Sequence, residues 1–451
     1  MSDPVLAAPP RHQTRLSPLK LLRTIKDSSI ASFAEPAFKE EVVERRFLWR
    51  RHVIVNSPEA VKRILLDNVE NYVKSDLLRH LLEPGLGKGL ITSSGELWRS
   101  HRRIMAPAFD PRSLAAYAPP MIEEAEGMLA RWDELPAGAT VDVATEMMRL
   151  TLAIIARAMF STSDPQLLDT VERGMATYQE VVRPGLFDLL GLPSWIPRRG
   201  AAAGRRALTG VDDLIAQLMA RGKDTPDLLG RLLSATDPVT GQPLSPREVR
   251  DEVVTIFAAG HETTAQALTW TWYLLSQHPG AVEELEAELD RVLAGRPPSY
   301  EDIPQLAFAR MVIEESMRLY PPAHTMSRIA VADDDLPLSE GSYRVSRGTL
   351  VLIVPWLLHR HERLWNRPDR FRPERFAASA ATKRHRFAYI PFGGGPRICI
   401  GAGFAMTEAI LILASIAQRY RLRPSPGHVV EPVGLITLRP RNGLKLVLER
   451  R

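Results

Sequence analysis

The sequence has one cysteine, Cys399, among 451 residues. A lone thiol forms no intrachain disulfide, so a disulfide-built secreted scaffold is excluded and a reducing compartment is indicated. No run reaches the roughly 18 apolar residues that a membrane span needs. The longest apolar runs, Val351–Leu358 and Ile410–Ala417, fall well short. Nothing at the N-terminus reads as a secretory leader, so the expected location is cytoplasmic. There is no internal repeat and no low-complexity tract. The net charge of +5 is mostly arginine dispersed along the chain. Without a basic-aromatic motif it gives no footprint for nucleic acid, whereas a basic face suits an acidic protein partner.

What is present is an ordinary globular composition, 45% hydrophobic and 25% charged, sufficient for a core that encloses a cofactor. Residues 1–40 are polar and scattered with proline, a poor core-builder that reads as a surface lead-in. Within them Leu16–Ile25 can form a short amphipathic helix. Arg46–Asn56 has strand character, and Ser57-Pro58 signals a helix start. Gly85–Thr92 reads as a glycine-punctuated loop leading into a helix with Trp98, Arg99, Arg102 and Arg103. Trp98 and Arg102 share one face of that helix, as do Arg99 and Arg103, and such faces can clamp carboxylates. Met147–Met159 is apolar nearly all round and predicts a buried helix. Residues 162–200 are broken by Pro165, Pro184, Pro193 and Pro197, so two helices are expected to flank a mobile loop able to act as a lid.

The strongest helix signal starts at Ser245-Pro246-Arg247-Glu248, a capping box with proline at the first position, and runs unbroken to His278-Pro279. Its middle, Ala258-Ala259-Gly260-His261-Glu262-Thr263-Thr264, is unlike a plain core helix. Glycine there costs about 1 kcal/mol relative to alanine. Small residues thin the helix so that a flat group can lie on it. A threonine hydroxyl can loosen the helix by bonding one turn back, and a carboxylate beside a hydroxyl can relay protons. The cysteine lies in Phe392-Gly-Gly-Gly-Pro-Arg-Ile-Cys399-Ile-Gly401, just before an apolar helix. Its thiol is either inert packing or a working thiolate favoured by a helix N-terminus and by Arg397.

Taken in order, these segments resemble the cytochrome P450 family. Phe392, Gly395, Arg397, Cys399 and Gly401 match its F-x-x-G-x-R-x-C-x-G signature. Ala259, Gly260, Glu262, Thr263 and Thr264 match its A/G-G-x-E/D-T-T element. Glu315 and Arg318 match E-x-x-R, Pro373–Phe376 match P-E-R-F, and Trp98 with Arg102 match W-x-x-x-R. Five motifs in the family's order, spread over some 300 residues, make the resemblance specific.

The resemblance implies a mainly α fold with small β-sheets (α+β), a single catalytic domain over 41–451, and haem b between the long helix and the cysteine-loop helix. Cys399 would be the axial iron ligand, with Phe392, Gly395, Gly401 and Ala259 against the cofactor. Trp98, Arg102, Arg397 and Arg328 would hold its propionates. Glu262 and Thr263 would be the acid–alcohol pair that handles protons at the oxygen site, and Glu315, Arg318 and Arg375 a structural charge network. The expected activity is O2-dependent monooxygenation, hydroxylation or epoxidation, of a hydrophobic small molecule. Electrons from NAD(P)H would arrive through a separate reductase and ferredoxin or flavodoxin docking near the cysteine, the enzyme itself being a monomer. Leu77–Leu90, Val182–Ser194, Phe257–Thr263, Ala323–Met326 and Leu435–Thr437 would line the pocket, with His324 and Met326 in pocket or core roles and not on the iron. A haem-based sensor on the same scaffold, or an isomerase or dehydratase, are the alternatives; the Glu262–Thr263 pair argues against the sensor.

Overall fold

The computed structural model describes residues 4–47, 50–181, 201–222 and 227–451. Its axis is helix Pro246–Gln277, 32 residues long, or about 48 Å at 1.5 Å per residue. The start is the reciprocal cap read in the sequence. Ser245 Oγ accepts from the Glu248 N–H at 3.3 Å, and Glu248 Oε2 accepts from the Ser245 N–H at 2.8 Å. The helix stops at His278 (φ −128°), and Pro279 opens the next helix, Pro279–Leu293.

An apolar helix of this length must be covered on all sides. Helices Val143–Phe160, Thr209–Ala220, Ala307–Leu319 and Ala402–Arg419 lie against it. Phe160 stacks on Phe257 with ring centroids 4.6 Å apart, and the Thr151 hydroxyl donates to the His261 carbonyl at 2.8 Å. Gly260 belongs to this packing. A Cβ there would lie 2.3 Å from Ile155 Cδ1, so the glycine lets helix Val143–Phe160 approach. The sequence suggested that small residues here make room for a flat ligand; at Gly260 the neighbouring helix takes the space.

The sheets are small. One has five strands in the order β1 (Val42–Phe47), β2 (Arg50–Val55), β8 (Leu350–Ile353), β5 (Met326–Ala330) and β3 (Tyr72–Lys74). Only the β2–β8 pair is parallel. A second joins β4 (Thr140–Asp142), β12 (Lys445–Arg450) and β9 (Tyr420–Pro424); β6 (Asp334–Pro337) pairs β7 (Ser342–Val345), and β10 (Pro432–Gly434) pairs β11 (Leu438–Pro440).

The strand character of Arg46–Asn56 is shared between the end of β1 and β2, which pair antiparallel with Glu44 opposite Val53. Two expectations change. The loop expected from Gly85 begins later, because helix Asp76–Leu86 continues through Pro84. Residues 1–40 are not a poor core-builder throughout, since Ile30, Phe33, Ala37 and Phe38 join the main core. The pocket segment Val182–Ser194 and the proline-broken stretch beyond it lie outside the described residues.

Candidate active site

Cys399 is placed by a loop folded on itself. Its N–H donates to the Phe392 carbonyl at 2.9 Å, and the Ile398 N–H donates to the Gly395 carbonyl at 3.1 Å. Gly395 sits at φ +67°, and a Cβ there would fall 1.7 Å from the Leu65 carbonyl oxygen. No other residue fits both demands. The protein backbone alone thus explains Gly395, which the sequence reading had placed against the cofactor. Gly401 caps helix Ala402–Arg419, and a Cβ on it would stand 4.0 Å from Cys399 Sγ. Phe392 is half-buried against the core.

The sulfur lies deep, yet its residue is exposed to solvent. Both hold if the thiol faces an interior space and not packed atoms. The long helix has a less buried stretch of its own. Every residue from Asp251 to Ser276 is buried except Ala258, Ala259, Gly260 and Thr263, which are half-buried. Burial pushes the Cys399 thiol up, against the Gly401 N–H and the Arg102 guanidinium, which pull it down. The helix terminus alone therefore does not make the thiolate expected from sequence; a bound cation would have to hold it ionised.

Near Cys399 the described residues gather basic side chains that form no ion pair. Arg102 Nη1 donates to the Ile398 carbonyl at 2.9 Å, and Arg397 Nη1 to the Ser93 carbonyl at 3.2 Å. Arg397 lies over the Trp98 ring, 4.1 Å from its centroid. Arg328 is buried and reaches only its neighbour's carbonyl, Ser327, at 2.9 Å. Directly opposite Arg328 in the β3–β5 ladder stands Lys74, whose Nζ donates to the carbonyls of Leu90, Ile91 and Ser93 at 3.0, 2.5 and 3.2 Å. Like charges facing across a ladder destabilise it. Burial, with Arg397 and Arg328 adding to it, pulls the Lys74 ammonium down to about 6. None of the four forms an ion pair among the described residues. A donor set of this kind fits a group with two carboxylates. Sequence reasoning missed Lys74: no motif contains it, and only strand pairing brings it beside Arg328.

Arg99 and Arg103, on the other face of helix Gly95–Met105, bind the protein itself. Arg99 meets Glu96 at 2.9 Å, and Arg103 meets Asp237 at 2.7 Å. The two faces that looked alike in sequence therefore differ.

On the long helix Thr263 Oγ1 donates to the Ala259 carbonyl at 2.7 Å and Thr264 Oγ1 to the Gly260 carbonyl at 3.3 Å. Glu262 is buried, and its Oε1 accepts from Thr437 Oγ1 at 2.5 Å. The acid and alcohol expected to pair are thus adjacent, but the hydroxyl that holds the acid belongs to Thr437, on the turn between β10 and β11. His324 is a core residue. It is buried with Nε2 3.0 Å from the Leu435 carbonyl, and burial pulls it down to about 4. Met326 begins β5 and is half-buried.

Behind the cysteine loop, Glu315 and Arg318 are fully buried and doubly bonded, both contacts 2.7 Å. The remaining Arg318 donors go to the carbonyls of His359, Pro368 and Arg370. Arg375 Nε joins Glu315 at 3.3 Å. All five guanidinium donors are used, which is what a buried arginine requires.

The family model for cytochrome P450 matches residues 18–446. The chain is 39% identical over 401 residues to cyclooctatin synthase of Streptomyces melanosporofaciens, covering 87% of this chain and 85% of that protein. It is 36% identical over 395 residues to cyclooctat-9-en-7-ol 5-monooxygenase of the same organism, covering 86% and 83%. Among solved structures, the heme domain of cytochrome P450DA superposes with a TM-score of 0.80 at 27% identity, covering 91% of this chain and 90% of that one. With the thiol, the cations and the long helix arranged as described, these likenesses establish that the chain belongs to the cytochrome P450 family of haem monooxygenases.

Proposed function

We propose that the chain binds haem b with Cys399 as the axial ligand and hydroxylates or epoxidises an apolar substrate. The observation that carries this reading is the gathering near Cys399 of Arg102, Arg328, Arg397 and Lys74, none with an ion-pair partner among the described residues, together with the break in burial of the long helix at Ala258–Gly260 and Thr263. Arg102, Arg328, Arg397 and Lys74 would bind the two propionates, with Trp98 bracing Arg397. Haem iron, when bound, supplies the redox and oxygen chemistry.

The protein residues supply positioning and protons. Thr263 can turn its hydroxyl from the Ala259 carbonyl toward a guest in the groove. Glu262 can exchange a proton through the Thr437 hydroxyl, which sits on the turn expected to border the pocket. Electrons would come from NAD(P)H through a ferredoxin or flavodoxin. A groove of about 630 Å³ beneath the cysteine loop, lined among others by Arg310, Arg386, Phe392 and Met406, is where such a partner would dock.

Replacing Thr263 with alanine tests the assignment. NAD(P)H consumption should continue while product falls and peroxide accumulates. Unchanged coupling would remove Thr263 from the proton path. Substrate is best sought by the spin shift of the bound iron on adding apolar compounds; the substrate named for one relative, cyclooctat-9-en-7-ol, puts cyclic unsaturated alcohols first in that screen.

A further inference from the structure

Two consecutive carboxylates on the long helix, Asp251 and Glu252, are buried and reach across to a single loop. Asp251 Oδ2 accepts from the Lys88 N–H at 2.7 Å, and Glu252 Oε2 accepts from the Leu90 N–H at 3.2 Å. Glycines interleaved with these donors make the approach possible. A Cβ on Gly87, at φ +67°, would fall 2.1 Å from the Asp251 carboxylate, and one on Gly89 would fall 2.1 Å from Thr255 Oγ1. A side chain at either position would push the loop off the helix.

Glu252 is fully buried, and a buried carboxyl group needs partners for both oxygens. Its Oε1 lies 2.6 Å from Nδ1 of His101, itself buried on helix Gly95–Met105. A proton between these two atoms can sit on either one, and Oε2 accepts from Leu90 in both cases. His101 therefore orients Glu252, and Glu252 holds the loop. The Leu90 carbonyl is held in turn by Lys74 Nζ at 3.0 Å, so the N–H and the C=O of Leu90 are both fixed by buried side chains. Along the long helix Glu252, Ala259 and Thr263 recur at i, i+7 and i+11, which is one face of a helix with 3.6 residues per turn. The loop is pinned on the face whose burial breaks at Ala259 and Thr263, about 10 Å further along the axis to Ala259.

We propose that Glu252, oriented by His101 and seconded by Asp251, is a positioning residue for the substrate: it fixes the Gly87–Leu90 loop as a rigid wall of the pocket. Glu252 itself touches no substrate and acts through the backbone of Leu90. The inference rests on the monooxygenase reading, which places Leu77–Leu90 in the pocket wall. A ligand small enough to sit on the iron without reaching the loop is then indifferent to Glu252, whereas a bulky apolar one is not.

The test uses haem-loaded protein and two iron-binding azoles, imidazole and the bulky apolar clotrimazole, with amide hydrogen exchange as a separate readout. In Glu252→Ala the Leu90 amide should exchange roughly tenfold faster and clotrimazole should bind roughly tenfold more weakly, the equivalent of one hydrogen bond to a charged group. Imidazole should bind as tightly as to wild type. Glu252→Gln, whose amide oxygen still accepts from Leu90, should recover most of both losses. Should Glu252→Ala fail to fold, Gly89→Ala takes its place: it lifts the loop off Thr255, leaves the His101–Glu252 pair untouched, and should give the same split between the two azoles. Unchanged Leu90 exchange would overturn the clamp. Faster exchange with clotrimazole binding unchanged, or an equal loss for both azoles, would overturn the positioning role. A wild type whose spectrum shifts with neither azole would overturn the monooxygenase reading and the positioning role with it, whereas the exchange result tests the clamp alone.

Discussion

At the scale of single residues, the candidate site is marked by basic side chains that form no ion pair among the described residues. Lys74 is the clearest case. Flanked by Arg397 and Arg328 and held down near 6, it releases its proton on folding, since an unfolded lysine titrates about four units higher. The folded haem-free chain binds fewer protons than the unfolded one across that interval. Stability is therefore fully present at high pH and is lost as pH falls toward 6, by up to about 1.4 kcal/mol per unit. In the haem-free protein Lys74→Met should flatten the fall in denaturation midpoint between pH 8 and pH 6. In the haem-loaded protein, where two carboxylates would restore the ammonium, wild type should already be flatter. Equal slopes for both haem-free proteins would take Lys74 out of the anion site.

At the scale of elements, much could be read directly from the sequence. The capping box, the 32-residue span and the stop at His278 are local signals, and the long helix obeys all of them. The helix with Glu315 and Arg318 was equally plain, because an i,i+3 pair needs only one element. What sequence could not give were contacts made by pairing between distant elements. Lys74 meets Arg328 only through strand register, Thr437 meets Glu262 across 175 positions, and Gly260 makes room for Ile155 of another helix. The last point is testable. Gly260→Ala should gain about 1 kcal/mol in helix propensity and lose about 1–3 kcal/mol to overpacking against Ile155. A net loss of stability is expected in chemical denaturation, with much of it recovered by adding Ile155→Val. A stabilised single variant would show that Ile155 moves aside and that the glycine serves the ligand alone.

At the scale of the whole molecule, an outer groove runs beside the cysteine loop. Arg310 and Arg386 line that groove, with Glu314 the acid among them. An acidic electron donor would be steered there by charge, and steered association weakens with salt. Reduction of the enzyme by a small acidic ferredoxin should slow by roughly tenfold at high ionic strength. Arg310→Glu with Arg386→Glu should reproduce that slowing at low salt, while reduction by dithionite stays unchanged. A salt-independent rate, or a double variant reduced by ferredoxin as fast as wild type, would move the docking face elsewhere.

The central claim is that the thiol of Cys399 holds the haem iron. Its most direct measurement is the absorption spectrum of the reduced, haem-loaded protein under carbon monoxide. The unmutated protein should give the red-shifted Soret band of thiolate-ligated haem, and Cys399→Ala should lose it. A band at the position typical of histidine-ligated haem in the unmutated protein, or a red-shifted band that survives Cys399→Ala, would contradict the assignment.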